Sequence, residues 1–226
     1  TKAQQVTYNQ EFNEQATCWR FYQQHNGSIT FDNDQLVFNS INLGNEAVGI
    51  INMLPEGLNI DFNKDFEIST ILNFHGFSRL KFMINASVDG IDGHKIEFSR
   101  YQIDVIKWYD SGKKKKLISQ KLKGKNALET TKDIEIIIKN TSGVCQVTFK
   151  QNNNILDVGS FKLQAEPNYT FIGFSYYLSG KNYTLNVKKL NATYHRYHPS
   201  GIKIIENNEV KRRYLSEINS DKFLNI

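Results

Sequence analysis

Alternation with a period of two runs through most of the chain and limits its fold more than any other feature. In residues 65–74, Phe66, Ile68, Leu72 and Phe74 share one parity, while Asp65, Glu67, Ser69 and Asn73 share the other. A strand turns successive side chains to opposite faces, so this pattern predicts one buried face and one wet face. Residues 133–139 repeat it, with Ile134, Ile136 and Ile138 opposite Asp133, Glu135 and Lys139. The runs SITF, DQLVFNS, RLKFMINAS, KIEFSRYQIDVIKWYD, KKLISQKL, VCQVTFKQ, YTFIGFSYYL and YTLNVKKLNATYH read as strands on the same grounds. Clusters of Gly, Asn and Asp separate many of them, as at 32–35, 75–78, 89–93, 110–113, 140–143, 151–154 and 179–182. Those residues tolerate the positive φ that tight turns need. Ten or more short strands at this spacing predict an antiparallel sandwich or barrel. No strand–helix alternation is present, which argues against a doubly wound sheet.

A chain of 226 residues, 39% hydrophobic and 23% charged, supports one large all-β domain. Its 15 Phe and 11 Tyr suit pleated surfaces. Three prolines exclude a proline-rich linker. No apolar run approaches the roughly 18 residues that span a bilayer, so no membrane span is predicted. The start at Thr1, in TKAQQ, fits a processed mature end or a trimmed chain. Near the other end, Asn208 reads as an N-cap, with Val210, Tyr214, Leu215 and Ile218 at helical spacing. The expected division is a β-sandwich over 1–200 and a helical tail or linker over 201–226. No internal repeat is present.

Two cysteines, Cys18 and Cys145, allow one disulfide. Cys145 alternates with Val147 and Phe149, which predicts a buried free thiol, with a bridge to Cys18 as the alternative. Six Asn-x-Ser/Thr sites, at Asn26, Asn85, Asn140, Asn168, Asn182 and Asn191, would mark surface loops in a chain secreted through a eukaryotic pathway.

Four stretches carry a resemblance to a known fold family. FNEQATCWRFYQQHNGSITFDNDQLVFN resembles opening strands in which an aromatic segment leads into a short hairpin. KDFEISTIL resembles the long strand that follows. DIEIIIKNTSGVCQVTFKQNNNIL resembles a strand pair with an Asn-rich turn, and YTFIGFSYYLSGKNYTLNVKKLNATYH the closing pair. In this order, from residue 12 to about 195, the chain resembles the concanavalin A-like lectin/glucanase (laminin-G-like) jelly roll. The resemblance implies a two-sheet antiparallel sandwich. It covers lectins, glycan-binding modules, adhesion domains, hydrolases and lyases, so it implies no single function. Many such jelly rolls hold a structural calcium. Laminarinase-type hydrolases of this fold carry E-x-D-x-x-E, and no such run occurs here.

Asp133 and Glu135 share one strand face, about 6.5–7 Å apart at the usual rise. That lies within the roughly 5–9.5 Å that glycoside hydrolysis uses. Glu135, Asp133 and Glu67 are therefore the catalytic candidates if the chain is an enzyme, although an ordinary solvated sheet face is the simpler account. Sugar rings present apolar C–H faces, so exposed aromatic plates are the ligand-binding candidates. Trp108 and Tyr109 are adjacent, as are Tyr176 and Tyr177, and adjacent strand residues point to opposite faces, so each pair predicts an outward ring. From Lys107 to Lys125 there are eight Lys and one Asp, a local charge of +7 against +5 for the whole chain. Lys113, Lys114, Lys115 and Lys116 are the core of that run. Such a patch suits an anionic polysaccharide, or blocks sheet-to-sheet aggregation at an edge. Arg, which reads base edges bidentately, is scarce here, and nucleic acid is not expected. Asp89 and Asp92 in DGIDG are weak calcium candidates, because calcium needs six to eight oxygens. His195 and His198 lack a third zinc ligand nearby in sequence.

The expectation is a non-enzymatic module of a secreted or cell-surface protein, binding a glycan or a partner protein. A carbohydrate-active enzyme on the same fold and a structural or assembly module are the alternatives.

Overall fold

The computed structural model describes residues 5–10, 12, 19–22, 27–32, 34–40, 47–55, 58–76, 79–87, 90–109, 111–166, 168–179, 183–197, 202–206 and 209–213. The chain divides into two units, Thr1–Arg196 and Tyr197–Ile226. In the first unit the strands run in chain order as β1 (Gln5–Gln10), β2 (Trp19–Tyr22), β3 (Gly27–Asp32), β4 (Gln35–Ser40), β5 (Ala47–Pro55), β6 (Phe66–His75), β7 (Leu80–Ala86) and β8 (Gly93–Ser99). They continue as β9 (Gln102–Trp108), β10 (Lys114–Lys121), β11 (Ile134–Thr141), β12 (Val144–Gln151), β13 (Asn154–Lys162), β14 (Phe171–Ser179) and β15 (Tyr183–His195). Among the described residues they form two antiparallel sheets. One has the order β13-β12-β11-β6-β15-β4-β3, with β1 also pairing β15; the other is β10-β9-β8-β7-β14-β5-β2. The all-β sandwich expected from the alternation is the observed architecture. No described helix is long and apolar enough to cross a membrane.

Each sheet turns one parity inward. Ile68, Leu72 and Phe74 of β6 and Ile134, Ile136 and Ile138 of β11 are buried, as the alternation predicts. They meet Leu80, Phe82 and Ile84 of β7, Ile96 and Phe98 of β8, and Ile103 and Val105 of β9 in one core. Phe98 ties the layers together, edge-on to Phe74 of β6 at 5.6 Å and to Phe149 of β12 at 5.3 Å. Such aromatic pairs add about 0.5–1.5 kcal/mol beyond the burial of their area.

One inward position is a histidine. His94 is fully buried, stacks on Phe161 at 5.7 Å, and neither ring nitrogen has a hydrogen-bond partner. Burial, and secondarily the charge of Lys107, push its pKa down to about 3. Lys107 is its register partner and donates to Glu166 Oε1 at 2.8 Å and to the Gln164 carbonyl at 3.1 Å.

Sequence and structure differ at several places. Residues 95–110, which read as an extended run, turn sharply between Ser99 and Gln102, which pair as β8 and β9. The turn at Arg100 and Tyr101 contains no Gly or Asn and no positive φ. Its two carbonyls instead accept the amides of Leu128 and Leu122, so tertiary hydrogen bonds fix a turn without turn residues. β5, AVGIINMLP, was not anticipated, because a continuous apolar run carries no period.

The helix expected after Asn208 is replaced, over the described residues, by a hairpin of β16 (Ile202–Glu206) and β17 (Glu209–Arg213). Glu206 pairs Glu209 across two asparagines, and the alternation in IKIIE outweighs the helical spacing of Val210 and Tyr214. Residues 214–226 lie outside the described residues.

The last difference concerns the Asn-x-Ser/Thr sites. Asn85 is fully buried, donates to the carbonyls of Tyr169 (2.6 Å) and Glu166 (3.2 Å), and accepts the Glu166 amide (3.0 Å). Asn140 is buried and donates to the Lys64 carbonyl at 2.9 Å. These two amides are internal struts and not surface loops. Asn26 and Asn182 lie outside the described residues.

Cys145 is a buried free thiol that donates to Asn140 Oδ1 at 3.7 Å, and burial pushes its pKa up to about 12. Cys18 lies outside the described residues. Thiolate is the reactive form. The expected result of iodoacetamide treatment at pH 8 is therefore an unmodified Cys145 in the native protein and a labelled one after guanidinium, as peptide mass mapping would show. Labelling of the native protein would contradict the burial.

Candidate functional site

Because Ile96, Phe98, Ile103 and Val105 face the core, Lys95, Glu97, Gln102, Asp104 and Trp108 project from the outer face of β8 and β9. Lys81 joins them from β7, and Lys114 and Lys116 from the edge strand β10. Lys114 is the register partner of Trp108. Three ammonium groups crowd the indole: Lys114 Nζ at 4.6 Å from its centroid, Lys95 Nζ at 4.7 Å and Lys81 Nζ at 5.3 Å. Lys95 is buried, and such a contact contributes about 2 kcal/mol or more when desolvated against about 0.5–1 kcal/mol at an exposed site. No two of these charges are more than about 10 Å apart, a separation at which unit charges repel by about 2 kcal/mol at an effective dielectric of 20. The indole Nε1 is buried without a hydrogen-bond acceptor.

Two carboxylates lie beside this cluster. Glu97 and Asp104 are register partners across the β8–β9 hairpin and both are buried. Arg79 Nη1 bridges them, at 3.4 Å from Glu97 and 3.3 Å from Asp104. Lys81 stands 3.8 Å from Glu97, and Lys116 3.4 Å from Asp104. Asp104 also accepts the Ser119 hydroxyl at 2.7 Å and the Gln102 amide at 2.9 Å. Burial alone would raise the Asp104 pKa; the hydrogen bonds from Ser119 and Gln102 and the charge of Lys116 outweigh it and hold the carboxyl below its usual range. For Lys81, burial lowers the ammonium pKa against the opposing pull of Glu97, with Lys114 and Arg79 adding to the lowering. The face is thus a fixed array of charges, with Asp104 kept as an anion.

The carboxylates singled out by spacing lie on the other sheet. Glu67 pairs Lys139 at 3.5 Å and Glu135 pairs Lys150 at 3.4 Å, each a cross-strand register pair. Asp133 accepts Lys188 Nζ and Asn73 Nδ2, both at 2.9 Å. Burial raises its pKa, and these two partners more than reverse that, leaving it lowered. Each of the three is occupied by a lysine on that sheet.

Of the aromatic candidates, Trp108 lies in the cluster, and Tyr109 carries Lys107 Nζ at 5.1 Å from its ring. Tyr176 and Tyr177 are in β14, and their side chains lie outside the described residues. In the lysine run, the pleat of β10 sends Lys114 and Lys116 to the Trp108 face and Lys115 to the opposite one, while Lys113 lies just before the strand. Asp89 lies outside the described residues, and Asp92 accepts the Tyr169 hydroxyl at 3.4 Å. Among the described residues no three His, Cys, Asp or Glu side chains converge.

Sequence reasoning missed Arg79, Lys81, Lys95, Glu97 and Asp104. The polar parity of KIEFSRYQID was the available signal, and it becomes legible once the turn at Arg100 and Tyr101 is known.

No family model and no curated protein matches the sequence. Solved structures match at the level of fold. The VIP36 exoplasmic/lumenal domain in its Ca2+/Man3GlcNAc-bound form is similar over 86% of this chain and 89% of that chain, with 11% identity and a TM-score of 0.56. A lectin from Bauhinia forficata in complex with GalNAc is similar over 86% of this chain and 100% of its own, with 11% identity and a TM-score of 0.57. The GH43 protein BlXynB from Bacillus licheniformis matches over 83% of this chain and 39% of its own, with 9% identity and a TM-score of 0.53. The fold of this chain is the concanavalin A-like jelly-roll sandwich.

Proposed function

We propose that the chain is a non-enzymatic carbohydrate-binding module of a secreted or cell-surface protein, engaging its glycan on the outer face of β7–β10. The observation that carries this reading is the Trp108 cluster: a half-buried indole set among charged and amide groups, on a sheet of a fold shared with lectins. Sheet-mounted groups suit recognition because little ordering entropy is lost on binding. The test is a glycan array followed by titration of the best ligand. The wild-type signal is expected to fall at least about tenfold in Trp108→Ala, equivalent to about 1.4 kcal/mol. Trp108→Phe and thermal melts separate binding from folding. Equal affinity in wild type and Trp108→Ala would remove the site.

A hydrolase reading survives through a different pair from the one spacing suggests. Glu97 and Asp104 stand directly opposite each other, with Cβ atoms about 4.5–5.5 Å apart as is usual for such pairs. Retaining glycosidases hold their carboxyls about 5–5.5 Å apart. Against the raising effect of burial, hydrogen bonds from Ser119 and Gln102 and the charge of Lys116 hold Asp104 below its usual range, which argues against Asp104 as the acid. Release of reducing ends from a polysaccharide, abolished in Glu97→Gln, would replace the binding reading.

A further inference from the structure

We infer that the chain carries a second ligand site, for a neutral sugar ring, in the asparagine-lined cavity between the β10–β11 connection and the β12–β13 turn. The cavity has a volume of about 310 Å3 and is lined by Asn126, Glu129, Asn152 and Asn154 among others. That is the low end of the roughly 300–1,000 Å3 of small-molecule sites, which suits a short saccharide or a chain end. The site does not rest on the Trp108 face. It abuts the turn at Arg100 and Tyr101, where the Arg100 carbonyl accepts the Leu128 amide, and the whole of β9, roughly 20 Å, separates that turn from Trp108.

The turn explains only part of this concentration of amides. Asn152 and Asn153 hold φ of 50° and 61°, which asparagine tolerates, so the hairpin accounts for them. Asn126 and Asn154 have no positive φ, yet they meet across the cavity, Asn154 Nδ2 donating to Asn126 Oδ1 at 3.2 Å. Asn152 Nδ2 donates to Glu129 Oε1 at 3.1 Å. Gln151 fastens the facing wall. Its Oε1 accepts the Glu129 amide at 2.8 Å, and its Nε2 donates to the carbonyls of Glu129 (2.9 Å), Asp133 (3.2 Å) and Lys132 (3.3 Å). Buried Leu128 and Phe149 back the cavity with core. The walls are thus tied together before a ligand arrives, which spares it much of the ordering cost.

What the walls leave over defines the ligand. Among the described residues nothing accepts from Asn126 Nδ2, and nothing donates to Oδ1 of Asn152 or Asn154. All three are within reach of a ligand: Asn152 and Asn154 are exposed and Asn126 is half-buried. A hydroxyl both donates and accepts, so one sugar edge can complete both kinds of amide atom. Glu129 adds a fixed acceptor. The hydrogen bond from Lys132, with the Lys132 charge, the Asn152 amide and the Arg100 charge, keeps its carboxyl below the usual range. The described lining carries one charge of each sign, Lys125 and Glu129, so it favours neither an anion nor a cation. Half-buried Ala127 and Leu156 give the lining an apolar part, and the abutting turn carries an aromatic ring, Tyr101, that is 58% exposed. Amides with free donors and acceptors beside apolar surface match the two faces of a sugar ring.

The experiment follows the side-chain and backbone amide resonances of the isotope-labelled full chain as glucose, mannose, galactose and N-acetylgalactosamine are added in turn. Glucuronate serves as the charged counterpart of glucose. The titration runs to about 50 mM, enough for a Kd of about 1 mM. At least one neutral sugar is expected to shift the side-chain amides of Asn126, Asn152 and Asn154, equally in wild type and in Trp108→Ala. Asn154→Ala is expected to weaken that sugar at least about tenfold. Asn152→Gly is expected to do the same while keeping the turn, because glycine accepts its φ. Thermal melts matching wild type separate the lost contact from a lost fold. Shifts confined to the outer face of β7–β10 would overturn this site and leave the Trp108 reading intact. So would unchanged affinity in both asparagine variants, or glucuronate binding more tightly than glucose. Silence from all the sugars would also overturn it, whatever the glycan array shows for Trp108.

Discussion

Replacing Gly93 by alanine is expected to lower the unfolding free energy by roughly 3–5 kcal/mol. Gly93 opens β8 with φ +123°, and a Cβ placed there would lie 2.4 Å from the Asn85 carbonyl oxygen and 2.8 Å from Ala86 Cα. Both are backbone atoms and cannot rotate away. Strain at such a φ contributes about 1–3 kcal/mol, and overpacking a similar amount. The neighbouring carbonyl belongs to Asn85, which anchors the Glu166–Tyr169 segment, so the displacement propagates into a second contact. At roughly 2–4 °C per kcal/mol for a chain of this size, the melting temperature should fall by about 10 °C. Gly112→Ala is the control: φ is +73° there, but nothing lies within 4 Å, so only the backbone strain of about 1–2 kcal/mol applies. Equilibrium urea unfolding of the two variants decides the matter. A Gly93 variant no worse than the Gly112 variant would mean that β7 and β8 do not approach as described.

Acid should weaken the fold well before carboxylates protonate, because of His94. Its pKa is about 3 in the native protein against an ordinary value of 6.5, so below pH 6.5 the unfolded chain binds a proton that the native one refuses. Stability rises with pH wherever the unfolded state holds more protons. The contribution of His94 is therefore complete above about pH 6.5 and is lost progressively down to pH 3. Between pH 7 and pH 4 the loss is on the order of 3 kcal/mol. His94→Phe keeps an aromatic ring against Phe161 and deletes two unpartnered nitrogens. It should be as stable as wild type at pH 7 and markedly more stable at pH 4. Parallel stability–pH curves for wild type and His94→Phe would refute the account. Asp104 acts lower on the scale: its depressed pKa adds stability that is present above its ordinary range and lost as pH falls below it.

The strand parity of Phe66, Ile68, Leu72 and Phe74 was enough to predict the sandwich, because burial of one face of a pleat is a local rule. Convergence of side chains is not local. Trp108 and the lysine run were each visible, but only the register Lys114↔Trp108 and the bulge after Lys116 place them in one cluster with Asp104. Glu97 and Asp104 stayed hidden for the same reason, since the hairpin between them turns on SRYQ, a sequence without Gly, Asn or Pro. Conversely, Asp133 and Glu135 attracted notice through spacing along one strand, whereas their real partners, Lys188 and Lys150, come from neighbouring strands. The terminal hairpin was misread because Val210, Tyr214 and Ile218 satisfy a helical period by coincidence over a segment whose first half alternates.

The burial of Asn85 and Asn140 has a practical side. A eukaryotic host that attaches oligosaccharides to nascent chains would meet both sequons before the sheets close. A sugar on either amide would remove a donor that the finished fold uses internally and would leave a bulky polar group with nowhere to go. Chains modified there should be retained and degraded, so that glycopeptide mass spectrometry of the exported product finds both asparagines bare and the yield reduced. A well-folded export product carrying a glycan on Asn85 would be incompatible with the strut it forms here. Bacterial cytoplasmic production avoids the conflict altogether.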